Sequence, residues 1–127
     1  MGKFLATGSF AHILDMEKVN QEDKRIYPDY VLISKALEVI GGKWRLYIIL
    51  LLGKETRRYR DLNQLLPTVS DKVLAGELKA LVALGVMERK AYAEIPPRVE
   101  YRLSQKGEQA LPLLSQLQAV GQIFNHY

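Results

Sequence analysis

The chain has 127 residues, enough for one domain with a sizeable core, and its 48% hydrophobic and 25% charged residues are the balance of a folded globule. It contains no cysteine, which excludes disulfides, thiolate metal sites and thiol redox chemistry. Formal net charge is +4 and the sequence pI is about 9.3, a mild bias towards polyanionic partners.

No apolar run approaches the roughly 20 residues that a membrane span requires; the longest, residues 46–52, is interrupted by Tyr47. The first residues carry one lysine, Lys3, and too little apolar length for a secretory signal. A cytoplasmic protein without membrane association is expected. The two histidines, His12 and His126, stand at opposite ends of the chain and make no metal-ligand spacing. Neither a metal nor a cofactor is expected.

Residues 1–28 are the least patterned stretch. Ser9 is a candidate cap for a short helix carrying Phe10, Ile13 and Leu14, and the polar run 20–25 follows. This region reads as an arm, either partly ordered or crossing onto a partner subunit. Pro28-Asp29 signals a turn and a cap, after which Ile33, Ala36, Leu37 and Ile40 fall on one apolar helical face. Gly41-Gly42 should end that helix, because glycine takes the left-handed conformation without a side-chain clash. Lys43 should start a second helix, in which Trp44, Tyr47, Ile48 and Leu51 repeat the spacing and Leu46, Ile49 and Leu50 fill much of the remainder. A helix apolar nearly all round is the expected central core helix. Gly53-Lys54 closes it.

Arg57, Arg58 and Arg60 then cluster around Tyr59. Guanidinium forks suit phosphate oxygens, while a solvated loop or short strand is the plainer reading. Leu62, Leu65 and Leu66 mark a short helix stopped by Pro67. A tight connection leads into a longer helix over 70–84, with Thr68 paired to Asp71, or Ser70 alone, as its cap. Val73, Leu74, Leu78, Leu81 and Leu84 share its apolar face. Lys72, Gly76 and Lys79 lie opposite, with Ser70, Asp71 and Ala75 at the front end. Gly85 terminates it, and a basic hairpin follows, with strands over 86–93 and 98–103 and a tip at Ile95-Pro96-Pro97. Val99, Tyr101 and Leu103 alternate with Arg98, Glu100 and Arg102, and Arg98 is expected to project from the tip. Short helix, turn, longer helix and basic ribbon make the outline of a winged helix-turn-helix, which puts the helix in a DNA major groove and the ribbon beside it. A helix packed on a hairpin in some other small α+β domain is the alternative.

Ser104 should cap the last helix, and Gly107 early in it points to close packing. Leu111, Leu113, Leu114, Leu117, Val120 and Phe124 extend its apolar surface, and Pro112 should bend it near its start. So much apolar surface needs cover, from its own domain or, as preferred here, from the same helix of a second subunit. The predicted fold is mainly α with a small β-hairpin wing. It has an arm over 1–28, a winged helix-turn-helix over 29–104 and a dimerisation helix over 105–127.

Ile40-Gly41-Gly42-Lys43-Trp44, Arg57-Arg58-Tyr59-Arg60-Asp61-Leu62, residues 70–89 with Lys72-Val73-Leu74 and Leu78, Pro96-Pro97-Arg98-Val99-Glu100-Tyr101, and Leu103-Ser104 with Gly107 occur in a specific order and spacing. In this they resemble the HxlR-type winged-helix regulators of bacteria and archaea, over about residues 31–121. The resemblance implies a homodimeric transcription regulator whose two reading helices enter successive major grooves and whose terminal helices make the dimer. Two departures stand out. The family often has a Cys-Pro pair before the first core helix, where this chain has Val31-Leu32, so thiol sensing does not carry over. Family members also tend to have uncharged polar or basic residues near Asp71, Gly76 and Glu77, and the two acids here would oppose nearby phosphates.

On this reading Lys43, Arg57, Arg58, Lys79 and Arg98 neutralise phosphates of double-stranded DNA, and Ser70, Asp71, Lys72, Ala75 and Gly76 face base edges. Lys72 could donate to guanine, Asp71 accept from a cytosine amino group and Ala75 touch a thymine methyl. A small-molecule effector of unknown identity could sit near Trp44, Tyr47 and Phe124. The rival reading is a winged helix kept for protein association, with weak DNA binding or none. An enzyme is not expected. Gly42-Lys43 and Gly53-Lys54 lack the upstream glycine and following Ser/Thr of a phosphate-binding loop, and there is no Gly-x-Ser-x-Gly elbow.

Overall fold

The computed structural model describes residues 27–125, so the expected Ser9 helix, the polar run 20–25 and His126 lie outside the described residues. The chain divides between Ala36 and Leu37 into two units. Helix α1, Tyr30–Ile40, begins in the first. Asp29 caps it: its Oδ1 accepts from the Leu32 N–H at 3.0 Å and its carbonyl from the Ile33 N–H at 2.9 Å. The expected apolar stripe forms but is not buried, and Ile33 and Leu37 remain exposed. Helical spacing creates an apolar face without supplying the surface that covers it.

Everything that follows belongs to the second unit. Gly42 takes φ +80°, and a Cβ on Gly41 would sit 2.6 Å from the Leu37 carbonyl oxygen, so both glycines are needed where α1 ends. The resulting turn delays helix α2 to Arg45–Leu52, which leaves Lys43 in the turn and not in the helix as expected. Ile48, Ile49 and Leu52 of α2 are fully buried, which makes it the core helix as anticipated. The buried stripe is rotated from the expected one, however, and leaves Tyr47 half exposed with Trp44 and Leu51 at the core's edge.

Strand β1, Arg57–Arg58, leads directly into helix α3, Tyr59–Leu65, and helix α4 follows at Asp71–Ala83. Leu74, Leu78 and Leu81 of α4 are fully buried with Leu62, while Val73, expected on the same face, is 43% exposed. Gly85, at φ +79°, ends the helix: its N–H bonds the Val82 carbonyl and the Val86 N–H bonds the Leu81 carbonyl, both at 3.0 Å. That reversal feeds strand β2, Met87–Tyr92, which pairs antiparallel with β3, Arg98–Leu103. The wing was expected to be a two-stranded ribbon. Instead β1 pairs with the other edge of β3, giving sheet order β1-β3-β2. Met87 lies opposite Leu103 and Arg89 opposite Tyr101; Met87, Tyr101 and Leu103 are buried, so this face looks into the core. Two helices packed through leucines and finished by a small antiparallel sheet make the winged helix-turn-helix.

Helix α5, Gln105–Ser115, starts where predicted. The Ser104 hydroxyl accepts from the Gly107 N–H at 3.1 Å and donates to the Gly85 carbonyl at 2.7 Å. The close packing inferred at Gly107 is present, since a Cβ there would lie 2.3 Å from the Val86 carbonyl oxygen. Helix α5 runs through Pro112, where a bend was expected, and is interrupted at Gln116, before helix α6, Leu117–Ile123. At the break the Ser115 hydroxyl bonds the Pro112 carbonyl at 2.9 Å, and the Gln116 N–H reaches Leu113 at 3.2 Å, a tightening that interrupts the regular ladder. Leu111 and Leu114 pack on the core, but Leu113 and Phe124 stay 71% and 72% exposed. Among the described residues no helix is long and apolar enough to cross a membrane.

Because the obstacle facing Gly107 is backbone, Gly107→Ala must push α5 off the α4–β2 turn. Urea unfolding should show a loss of about 1–3 kcal/mol, the usual range for overpacking. An unchanged midpoint would contradict the packing described.

Candidate nucleic-acid interface

Ser70 is the cap of α4, in preference to Thr68, with its Oγ accepting from the Val73 N–H at 3.2 Å. Burial of Leu74, Leu78 and Leu81 turns Lys72, Ala75, Gly76 and Lys79 to solvent, and all four are exposed. Among the described residues neither Lys72 nor Lys79 joins an ion pair. A Cβ on Gly76 would meet nothing within 4 Å, so packing inside the chain does not require glycine there.

The two acids of α4 behave differently from the sequence expectation. Asp71 Oδ1 accepts a short hydrogen bond from Asn63 Nδ2, and the Tyr59 hydroxyl lies 3.4 Å from both Oδ1 and the Asp71 carbonyl. The carboxylate expected to read a base is therefore engaged by α3. Burial, followed by the nearby Asp71 charge, raises the Tyr59 pKa, so the phenol keeps its proton and donates at neutral pH. Glu77 lies on the α2 side, with Oε2 3.2 Å from Arg45 Nε and the two side chains 21% and 22% exposed. Glu77's charge is thus matched by Arg45, whereas Asp71 keeps its negative charge, because Asn63 and Tyr59 are neutral donors.

The predicted phosphate-binding cations are dispersed. Arg58 is exposed at the start of α3, where its backbone N–H donates to Asp61 Oδ2 at 3.3 Å. Arg57 is half-buried and its Nε donates to the Leu51 carbonyl at 3.3 Å, strapping β1 to α2. Lys43 is exposed, its ammonium 5.3 Å from the Trp44 ring centroid. Arg98 does not project from the tip. Its guanidinium lies 3.9 Å over the Tyr92 ring, and its Nε is 3.4 Å from Glu94 and 3.6 Å from Glu100. An aromatic face and two carboxylates hold the cation that was expected to reach outward.

Arg89 was not singled out from the sequence as a DNA contact, and Arg60 only as a member of the arginine cluster around Tyr59. Arg60 and Arg89 join Arg58 and Arg98 in lining an open groove between the start of α3 and the wing, where Glu94 is the one acid. Arg60 and Arg89 are exposed and, among the described residues, unpaired with any carboxylate. The signal for Arg89 lay in the two-residue period of β2, which puts it on the face of Met87 and beyond the buried end. Ala91-Tyr92 blurred that period in the sequence. On the outward face of the wing Arg102 lies 2.9 Å from Glu88. Among the described residues, cations without an ion pair include Lys72 and Lys79 on α4 and Arg58, Arg60 and Arg89 in the groove.

Residues 39–126 match the family model described as HxlR-like helix-turn-helix. An uncharacterized HTH-type transcriptional regulator of Halalkalibacterium halodurans, BH0655, is 42% identical over 82 residues, covering 64% of this chain and 73% of that protein. One from the archaeon Methanothermobacter thermautotrophicus is 32% identical over 95 residues, 75% of this chain and 72% of its own length. The oxidized form of the redox regulator HypR superposes with a TM-score of 0.67 at 28% identity, over 75% of this chain and 97% of that one.

Gly76→Ala should stabilise the protein by up to about 1 kcal/mol, since it removes a helix-interior glycine and meets no clash; a lowered unfolding midpoint would contradict the open site. The raised Tyr59 pKa means that the folded chain holds this proton more tightly than the unfolded one. Its stabilising contribution is complete below the ordinary tyrosine value of about 10 and is lost as pH rises beyond it. Tyr59→Phe should therefore flatten the alkaline limb of a stability–pH curve.

Proposed function

The chain belongs to the HxlR-like helix-turn-helix family, and from this premise we propose that it is a transcription regulator that grips double-stranded DNA as a homodimer. The observation that carries the reading is the exposed stripe of Lys72, Gly76 and Lys79 on a capped helix whose Glu77 is already paired with Arg45. Lys72 donates to guanine O6 and N7, Ala75 meets a thymine methyl, and Gly76 lets backbone approach a base edge. Ser70 offers its hydroxyl beside them, and Asp71 orients the front of the helix from α3. Lys79, Arg58, Arg60 and Arg89 contact phosphates, with Lys43 and Arg57 adding to the field. Arg98 stiffens the wing through Tyr92.

The DNA-binding part is residues 29–104. Apolar side chains left exposed support dimerisation through the ends: Leu113, Ile123 and Phe124 over 105–127, and Tyr30, Val31 and Leu32 on α1. The arm over 1–28 adds to that contact. The 127 residues contain no cysteine, so any signal reaches the protein by a route other than a thiol. The setting is cytoplasmic. The rival reading, a winged helix kept for protein association, drew on Asp71 and Glu77 opposing phosphates, and of these Glu77 is paired with Arg45.

Selection from random duplex DNA with purified protein should return an inverted repeat with half-sites about one helical turn apart. With six to ten phosphates contacted, affinity should fall about 10³ to 10⁵-fold between ~50 and ~200 mM salt, and a flat response would overturn the reading. Lys72→Ala should cost about 1–3 kcal/mol and relax one base position, whereas Arg89→Ala should weaken all sequences alike and lower the salt slope by about one. A strict monomer in sedimentation would contradict the dimer.

A further inference from the structure

We infer that Arg45 is a positioning residue for DNA reading, a single guanidinium that ties the middle of α4 to the end of α1 and fixes the rotation at which α4 meets DNA. The inference rests on the proposed DNA-binding role of α4. Arg45 Nη1 donates to the Glu38 carbonyl at 2.8 Å. Glu38 is in the last turn of α1, so this bond fixes Arg45 to the end of that helix. The same side chain places Nε 3.2 Å from Glu77 Oε2, in a pair about four-fifths shielded from water. The α1–α2 turn closes the other side of that carboxylate: a Cβ on Gly42 would lie 3.4 Å from Oε2.

The phase of α4 makes this contact directional. Leu74, Leu78 and Leu81 define its buried stripe and choose the face it buries; directional contacts on the flanks then limit the small rolls about the helix axis that this packing leaves. Asp71 and Glu77 fall on opposite sides of that stripe. Asp71 is held by Asn63 and Tyr59 of α3, and Glu77 by Arg45 of α2. Two directional tethers, one on each flank, stop α4 from rolling and keep Lys72, Ala75 and Gly76 in one register. Arg45 touches no DNA in this arrangement. Its loss should reduce affinity without removing a phosphate contact.

The test uses the full chain and two duplexes of equal length, the selected operator and a scrambled one. Arg45→Met and Glu77→Ala should each weaken operator binding about ten-fold, with little change on the scrambled duplex and no change in salt slope. The double variant should be no worse than Arg45→Met alone, because both substitutions remove one contact. Glu77→Gln, which keeps a hydrogen-bonding group, should recover part of the loss. A Glu77→Ala protein that binds more tightly would mean the acid merely repels phosphates, and would overturn the proposal. So would an Arg45→Met protein with a salt slope lowered by about one, the mark of a direct phosphate contact. Hydrogen exchange of the free proteins separates this inference from the DNA reading. Amides of α4 should exchange faster in both single variants, and unchanged exchange refutes the tether. A wild-type chain that binds neither duplex refutes the DNA reading instead.

Discussion

Full burial of Leu74, Leu78 and Leu81 decides which side of α4 faces solvent. Each leucine removed from water contributes about 1.5–3 kcal/mol, whereas an exposed ion pair contributes about 0–1 kcal/mol. The leucines therefore choose the helix's orientation and the polar contacts refine it. Ile48, Ile49 and Leu52 of α2, and Met87, Tyr101 and Leu103 of the sheet, supply the rest of the core. Once α4 is seated, Lys72, Ala75, Gly76 and Lys79 are left outside by geometry alone.

Charge is sorted around this framework. Of the acids on α4, Glu77 is matched by Arg45, while Asp71 is hydrogen-bonded by neutral groups of α3 and keeps its charge. On the wing, Arg98 and Arg102 are matched by Glu88, Glu94 and Glu100. Lys72 and Lys79 on the α4 stripe, and Arg58, Arg60 and Arg89 in the groove, are among the described cations that no ion pair matches. Where a net charge of +4 is placed matters more to a polyanion than the total does.

The ends of the chain have the opposite character. In α5, Leu111 and Leu114 close the domain's own core, while Leu113 on the same helix stays exposed. Gly107 and Ser104 fix that helix against the α4–β2 turn, so the face it presents is set by the same packing that orients α4. The reading helix and the exposed terminal face are consequently parts of one rigidly joined framework.

Short-range rules carried much of the fold. Leucine spacing gave the two helices of the helix-turn-helix, Ser70 and Ser104 their caps, Gly85 the reversal, and Gly107 the tight approach. The helices, the caps and the reversal depend on residues within a turn or two along the chain, so the amino-acid order suffices; at Gly107 only the need for close packing was legible, and its partner, Val86, lies 21 positions away. What it left open were pairings between distant segments. β1 joins β3 more than forty positions away, Arg45 meets Glu77, and Arg89 gains its side from the register with Tyr101. Arg98 was legible as a wing arginine, but its direction was not, because Tyr92 and Glu94 compete with solvent only after the hairpin closes. Helix phase and strand register are collective outcomes of core packing, and only the folded chain determines which charges remain free.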